Sequence, residues 1–350
     1  MKKKYRHDYS SPAQKLRYKI LNHIRVLTLR KPESTKYTYP LYPSYRHIKH
    51  KPSEGFNESE NYMTEEPTRT SGFGHGLGSW RAGYINSCVF DLPYAYHPMV
   101  NEKWDKALGL GEGERSVDEL LKAGYKKVLL PYYVPGEKDS YEIIKKIIDS
   151  YKDEKVIFFN GPDQRSGGYP EEPGNEFIRK KFYSSSARKN DKTPYKDGKI
   201  NIAVHIRRGD VKESVDAGET HLLGYWLDDS YYIGLLDLIS GMNDKVCFYL
   251  FSEGDREDFR AFEKYGDRIS FYLNESAQDT FINMCRADLL LIAPSSFSRE
   301  AGNINKNLKI ASDKQKGYPD NGQWIIADKN GRLKMDDVKK LEAYINNFAV

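Results

Sequence analysis

At 350 residues the chain has room for two domains of ordinary size. Hydrophobic residues make up 39% and charged residues 30%, proportions that exclude a disordered or fibrous chain and fit a globular enzyme with its own core. The three cysteines, Cys88, Cys247 and Cys285, are widely spaced with no Cys-x-x-Cys pairing, which argues against a disulfide framework or a cysteine zinc motif and for a reducing, cytoplasmic setting.

The chain opens Met1-Lys-Lys-Lys-Tyr-Arg, yet no apolar signal-peptide core follows, and Val26-Leu-Thr-Leu29 stops at Arg30 and Lys31. No stretch approaches the ~18 apolar residues of a membrane span. Residues 1–51 carry 14 Lys and Arg against Asp8 and Glu33, a surplus of +12 that leaves the rest of the chain at −7 of the overall +5. Leu16, Ile20, Ile24 and Leu27 form one stripe of an amphipathic helix within this arm. Two readings are open: a basic helix lying peripherally on an anionic membrane surface, or the same helix packed on its own domain. Residues 32–70, rich in Pro, Ser, Thr and Tyr, complete an irregular lead-in over 1–70.

From Ser71 the character changes. A Gly-rich loop, Gly72-Phe-Gly74-His75-Gly76-Leu-Gly78, is expected to precede a helix from Ser79. Strands are expected at Lys127–Pro131 and Lys155–Phe159, with a helix over 141–149 between them, and this order indicates parallel βαβ units. The polar run 181–198 reads as a boundary, giving an amino-terminal α/β domain over 71–198.

A second α/β set follows over 199–335. Strands are expected at Ile200–Ile206, Val246–Phe251, Ile269–Leu273, Asp288–Ala293 and Gln323–Ala327. Helices are expected over 230–239, 279–286 and from Ser298, with a closing helix over 336–350. The economical architecture is α/β with two Rossmann-like domains facing across a ligand cleft.

Three features carry chemistry. Val204-His205-Ile-Arg207-Arg208-Gly209-Asp210 is a buried-type strand running into two arginines, where an open α/β sheet places its ligand and where guanidinium forks match phosphate. The alternative is a surface arginine pair bridged to Asp210. Pro294-Ser295-Ser296-Phe297-Ser298 follows an apolar strand and opens a helix, a place for an anion or simply for a serine cap. The glycine run at 72–78 ends in no Gly-Lys-Ser/Thr and follows no clear strand, so it is not a Walker loop.

In combination these segments resemble the GDP-fucose fucosyltransferase superfamily, which includes the α-1,2, α-1,6 and protein O-fucosyltransferase groups. His205-Ile-Arg-Arg-Gly-Asp210 matches the family's His-x-Arg-Arg-x-Asp motif. Tyr249-Leu-Phe-Ser-Glu253 is similar to a strand ending in Phe-Ser-Asp, with Glu for Asp. Asp279-Thr-Phe-Ile-Asn-Met-Cys285 and Ser295-Ser-Phe-Ser298 follow in the family's order, and Gly72 to Gly78 looks like its amino-terminal glycine loop. The likeness covers about 70–330 and is strong over 200–302. It departs from the α-1,2 group after Ser298, where Arg299-Glu-Ala-Gly stands in place of tryptophans, and in His75 within the glycine loop.

The resemblance implies a GT-B fold and an inverting, metal-independent transfer of fucose from GDP-fucose to a glycan hydroxyl, with no cofactor and no metal ligands. It implies that Arg207 meets the donor diphosphate and that Asp279 meets guanine. Gly72, Gly74, Gly76, His205, Arg208, Ser295, Ser296 and Ser298 complete the expected donor site. For the base that takes the acceptor proton, Asp210, Glu213 and His75 are the candidates. A related transferase with another nucleotide sugar is the nearest rival. A non-catalytic binder of polyanions or glycans, driven by the basic arm, leaves the ordered motifs unexplained, and nucleic acid is not expected as a partner.

Overall fold

The computed structural model describes residues 38–51, 59–65, 72–99, 101–160, 171–220 and 222–348, together with Pro12, Leu16, Lys19, Ile20 and His23. It divides into two compact units, Met1–Asn101 with Gly111–Gly174, and Glu102–Leu110 with Asn175–Val350. The helix Glu172–Ser184 runs from one into the other. Among the described residues no helix is long and apolar enough to cross a membrane.

The first unit holds a parallel sheet of β1 (Tyr62–Glu65), β2 (Lys126–Leu129) and β3 (Val156–Asn160) in the order β1-β3-β2. Central β3 is buried along its whole length, hence its run of apolar residues without alternation. Edge strand β2 opens on exposed Lys126 and Lys127, charges that discourage further strand pairing. The helix Lys138–Asp149 buries Ile144, Ile147 and Ile148, three and four residues apart as one helical face requires. Strand β1 lies inside the stretch expected to be irregular. Its four residues are all buried, and it ends in the buried carboxylate Glu65.

The second unit is a six-stranded parallel sheet: β4 (Ile200–His205), β5 (Val246–Ser252), β6 (Ile269–Leu273), β7 (Leu289–Leu291), β8 (Leu308–Ser312) and β9 (Trp324–Ala327). Their spatial order is β6-β5-β4-β7-β8-β9, the arrangement of a doubly wound Rossmann sheet that grows outward in both directions from its first strand. Ile200, Ile202 and Val204 of β4 share one core with Leu235, Leu236 and Ile239 of the helix Asp229–Ser240. Both units are thus α/β with parallel sheets, the class expected from the sequence.

The split between units falls at Gly174/Asn175 rather than at 198/199. The polar segment after 181 belongs to the second unit because its long side chains are tied there. Tyr183 and Tyr195 donate to the carbonyls of Cys285 (2.8 Å) and Asn283 (2.5 Å), and Arg179 Nη2 donates to that of Asn303 (2.8 Å). The closing helix Met335–Phe348 is likewise part of this unit, with Leu341 and Ile345 in its core. In the basic arm, Leu16 and Ile20 are helical and exposed; Ile24, Leu27 and most of 1–37 lie outside the described residues.

Candidate functional site

The sheet of the second unit reverses its winding between β4 and β7, and the carboxyl ends of those two strands open the crevice where such sheets take ligands. After β4 the backbone stays paired for one residue, Ile206 N donating to Phe251 O at 3.0 Å. Arg207 and Arg208 follow, and then the helix Gly209–Asp216. After β7 the chain passes Ala293 and Pro294 to Ser295, the cap of the helix Ser296–Ile304. The two turns meet: the rings of His205 and Phe297 lie 5.7 Å apart. Two helix N-termini therefore open beside the same pair of strand ends, and each carries the partial positive charge that favours an anion.

The arginines do different work. Arg208 is buried. Its Nη2 donates to Asp229 Oδ1 at 2.6 Å and its Nη1 to the carbonyls of Leu227 (3.2 Å) and Arg207 (3.3 Å), beneath the ring of Trp226 at 4.1 Å. It braces the turn. Arg207 reaches solvent, its side chain 24% exposed. Its Nε and Nη2 donate to the two oxygens of Asp210 at 3.3 and 2.8 Å, and it lies over Tyr225 at 4.8 Å. Both of Asp210's oxygens accept from Arg207, so this carboxylate is the counter-ion of the arginine as found. The bridge to Asp210 is present and is made by Arg207 alone; Arg208 takes no part in it.

Gly209 sits at φ +39°, and a Cβ there would drive into the Glu253 carboxylate. Only glycine fits this first helical position, and Glu253, just beyond β5, closes over it. Glu213 lies exposed on the same helix.

Of the three serines, Ser295 accepts from Phe297 N (3.2 Å) as an N-cap, and Ser296 is exposed at the first helical position. Ser298 departs from the donor role expected of it. It is fully buried and donates to the Ala293 carbonyl at 3.0 Å, tying the helix back to the strand it follows. Asp279 is exposed near the start of the helix Ala277–Arg286, where its Oδ2 accepts from Ser276 Oγ at 2.6 Å. That helix is anchored through Phe281, whose ring meets Phe297 at 5.5 Å, while Trp104 lies edge-on to both at 5.4 and 6.2 Å. Trp104 is far away in sequence, and no pattern around it signals this packing.

His205 lies at the base of the crevice, 8% exposed, with Nδ1 buried and without a partner among the described residues. Burial, with a smaller contribution from Arg207, lowers its pKa to about 3. The imidazole is therefore neutral in the folded chain and cannot supply positive charge to a phosphate. Below the unfolded value of about 6.5 the unfolded state takes up a proton that the folded state refuses, so stability falls with pH between about 6.5 and 3. We expect His205→Asn to flatten the urea-denaturation free energy over pH 4–6.5 by roughly 1 kcal/mol per pH unit. An unchanged slope would show that His205 takes up its proton in the folded state as readily as in the unfolded one.

The remaining candidates belong to the first unit. The expected glycine loop is not a loop: a helix spans Phe73–Val89 with Gly72 as its cap residue, so Gly74, His75 and Gly76 occupy its first turns. Glycine is a poor helix former, and here close packing outweighs propensity. A Cβ at Gly76 would meet the Met99 side chain at 3.2 Å, and one at Gly83 would meet Glu65 Cβ at 2.5 Å. Small residues on this helix let it press against β1 and its neighbours. His75 is half-buried on it.

No family model matches the chain, and no curated protein matches its sequence. Solved structures do resemble it in outline. POFUT1 in complex with GDP is 11% identical, covering 72% of this chain and 98% of its own at a TM-score of 0.48. A mutant of Arabidopsis thaliana FUT1 in complex with GDP is 9% identical, covering 89% of this chain and 82% of its own at 0.40. The E. coli heptosyltransferase WaaC with ADP is 11% identical, covering 83% of this chain and 100% of its own at 0.44. Likenesses this distant carry no function to the present chain.

Proposed function

We propose that the chain is an inverting glycosyltransferase that moves fucose from GDP-fucose to a glycan hydroxyl. The observation that carries this reading is Arg207, a solvent-reaching guanidinium fork at the winding reversal of a Rossmann sheet, with a helix N-terminus on each side. In the proposed reaction the acceptor oxygen attacks the anomeric carbon as the bond to the β-phosphate oxygen breaks. Negative charge grows on the departing diphosphate, and fixed donors aimed at it stabilise the transition state. Arg207 and the amides opening the helices Gly209–Asp216 and Ser296–Ile304 supply those donors, with no divalent ion taking part in the transfer. The acceptor proton passes to Asp210 or Glu213; Asp210 serves only once a phosphate has drawn Arg207 from it.

Asp279 reads the base. An exposed carboxylate at a helix start can accept from both N1–H and the 2-amino group of guanine, which uracil and adenine do not offer together. GDP is expected to raise the Tm of the protein more than UDP or ADP at equal concentration. Asp279→Asn should remove most of that preference, because an amide NH₂ then faces donors; its oxygen still serves Ser276, so the helix start is kept. Equal stabilisation by the three diphosphates in the unaltered protein would end the assignment. Product analysis with GDP-fucose and chelator present then tests the transfer itself.

A further inference from the structure

A second site of different chemistry lies in the first unit, among residues the donor site does not use. His47 and His50 stand three apart at a 3₁₀ turn, His47–Lys49. In that geometry positions i and i+3 share one side, and the two rings are 4.5 Å apart. Facing them is the turn that links the helix Lys138–Asp149 to β3. It delivers Glu154 Oε1 to His47 Nε2 at 3.0 Å and Asp153 Oδ2 to His50 Nε2 at 2.9 Å. One donor atom from each of His47, His50 and Glu154 falls within 4.8 Å of the others.

His47 Nδ1 lies 3.0 Å from Ser150 Oγ, which leaves Nε2 as the ring nitrogen that faces Glu154. A ligating histidine characteristically has its other nitrogen held by a hydrogen bond that fixes ring orientation, as Ser150 does here. The His47 ring is further stacked on Tyr151, with centroids 3.6 Å apart and planes inclined by 8°. Two imidazoles and a carboxylate are a donor set suited to Zn²⁺.

We propose that His47, His50 and Glu154 bind a divalent transition-metal ion of the zinc type, which clips the segment before β1 to the turn before β3. Tetrahedral donors on bonds of about 2.0–2.1 Å lie about 3.3 Å apart. The His47–Glu154 pair is close to that already, and His50, with 35% of its side chain exposed, reaches the ion by a small rotation. The ion holds the fold and takes no part in group transfer.

Titrating metal-stripped full-length protein with Zn²⁺ by calorimetry should show one saturable site per chain and a raised Tm. Co²⁺ in its place should give the visible absorption of a tetrahedral site. His47→Gln and Glu154→Gln should each weaken binding by about 100-fold or more, while His97→Gln leaves it unchanged. The Co²⁺ spectrum of the unaltered protein decides the matter even if a variant fails to fold. Absence of a one-to-one site in the unaltered protein, or binding indifferent to His47 and Glu154, overturns the proposal.

Discussion

Replacing Arg208 with methionine is expected to cost the second unit about 3 kcal/mol of stability, read as a fall in urea midpoint at unchanged slope. Methionine fills much of the same space under Trp226 but ends the donation to Asp229 and to the Leu227 and Arg207 carbonyls. Breaking a fully buried ion pair costs about 3–5 kcal/mol, most of it from the charge left behind. Asp229 retains 32% exposure of its side chain and recovers part of its hydration, which places the loss at the lower end. Arg208→Lys keeps the charge but cannot reach carboxylate and carbonyl together, and should fall between the two. Asp229→Asn still offers an oxygen to Nη2 and should be the mildest. A loss within about 0.5 kcal/mol for Arg208→Met would show that the turn after β4 holds without its brace.

That brace also illustrates what could be read from the chain and what could not. Parallel strands announce themselves as mainly apolar runs, and β4, β5, β6 and β7 stand where those runs lie. Strand β8 does not, because it carries Lys309 at its second position. That lysine is fully buried, donating to Gln323 Oε1 at 2.9 Å beside the Trp324 ring, and a charged residue in a five-residue run conceals the strand. Strand β1 is hidden in the same way by Glu65. The run Gly72–Gly78 misleads in the other direction. Glycine suggests a loop by propensity, whereas Gly74, Gly76 and Gly78 lie in a helix, where Gly76 packs against the Met99 side chain. At the site, the strand-to-arginine junction was legible and the choice of Asp229 as the partner of Arg208 was not. The partners of Arg208 come from a loop about twenty residues later, and neighbour order in the sheet, which sets the winding reversal, is not written in any local pattern.

Arg207→Lys is expected to lower kcat for fucose transfer by roughly 100-fold or more, comparable to losing one preorganised donor to a developing oxyanion. The substitution leaves the net charge alone and removes the planar fork, so it tests geometry rather than attraction at a distance. In the free protein that fork already holds two oxygens, those of Asp210, so its shape for a bidentate anion exists before any donor arrives. In the proposed reaction a diphosphate entering the crevice would take the place of the carboxylate, and the guanidinium would then meet a group whose charge rises as the glycosidic bond breaks. An interaction that strengthens toward the transition state raises kcat more than it lowers KM. Accordingly KM for the donor should change less than kcat, and GDP should still stabilise the variant measurably in a thermal shift. Lysine offers one ammonium on a flexible stem and cannot span two phosphate oxygens in a fixed plane, while Arg208, committed to Asp229, is not placed to substitute. Should kcat remain within a factor of about three, the Arg207–Asp210 pair is a structural ion pair and the transfer chemistry assigned to this turn is wrong.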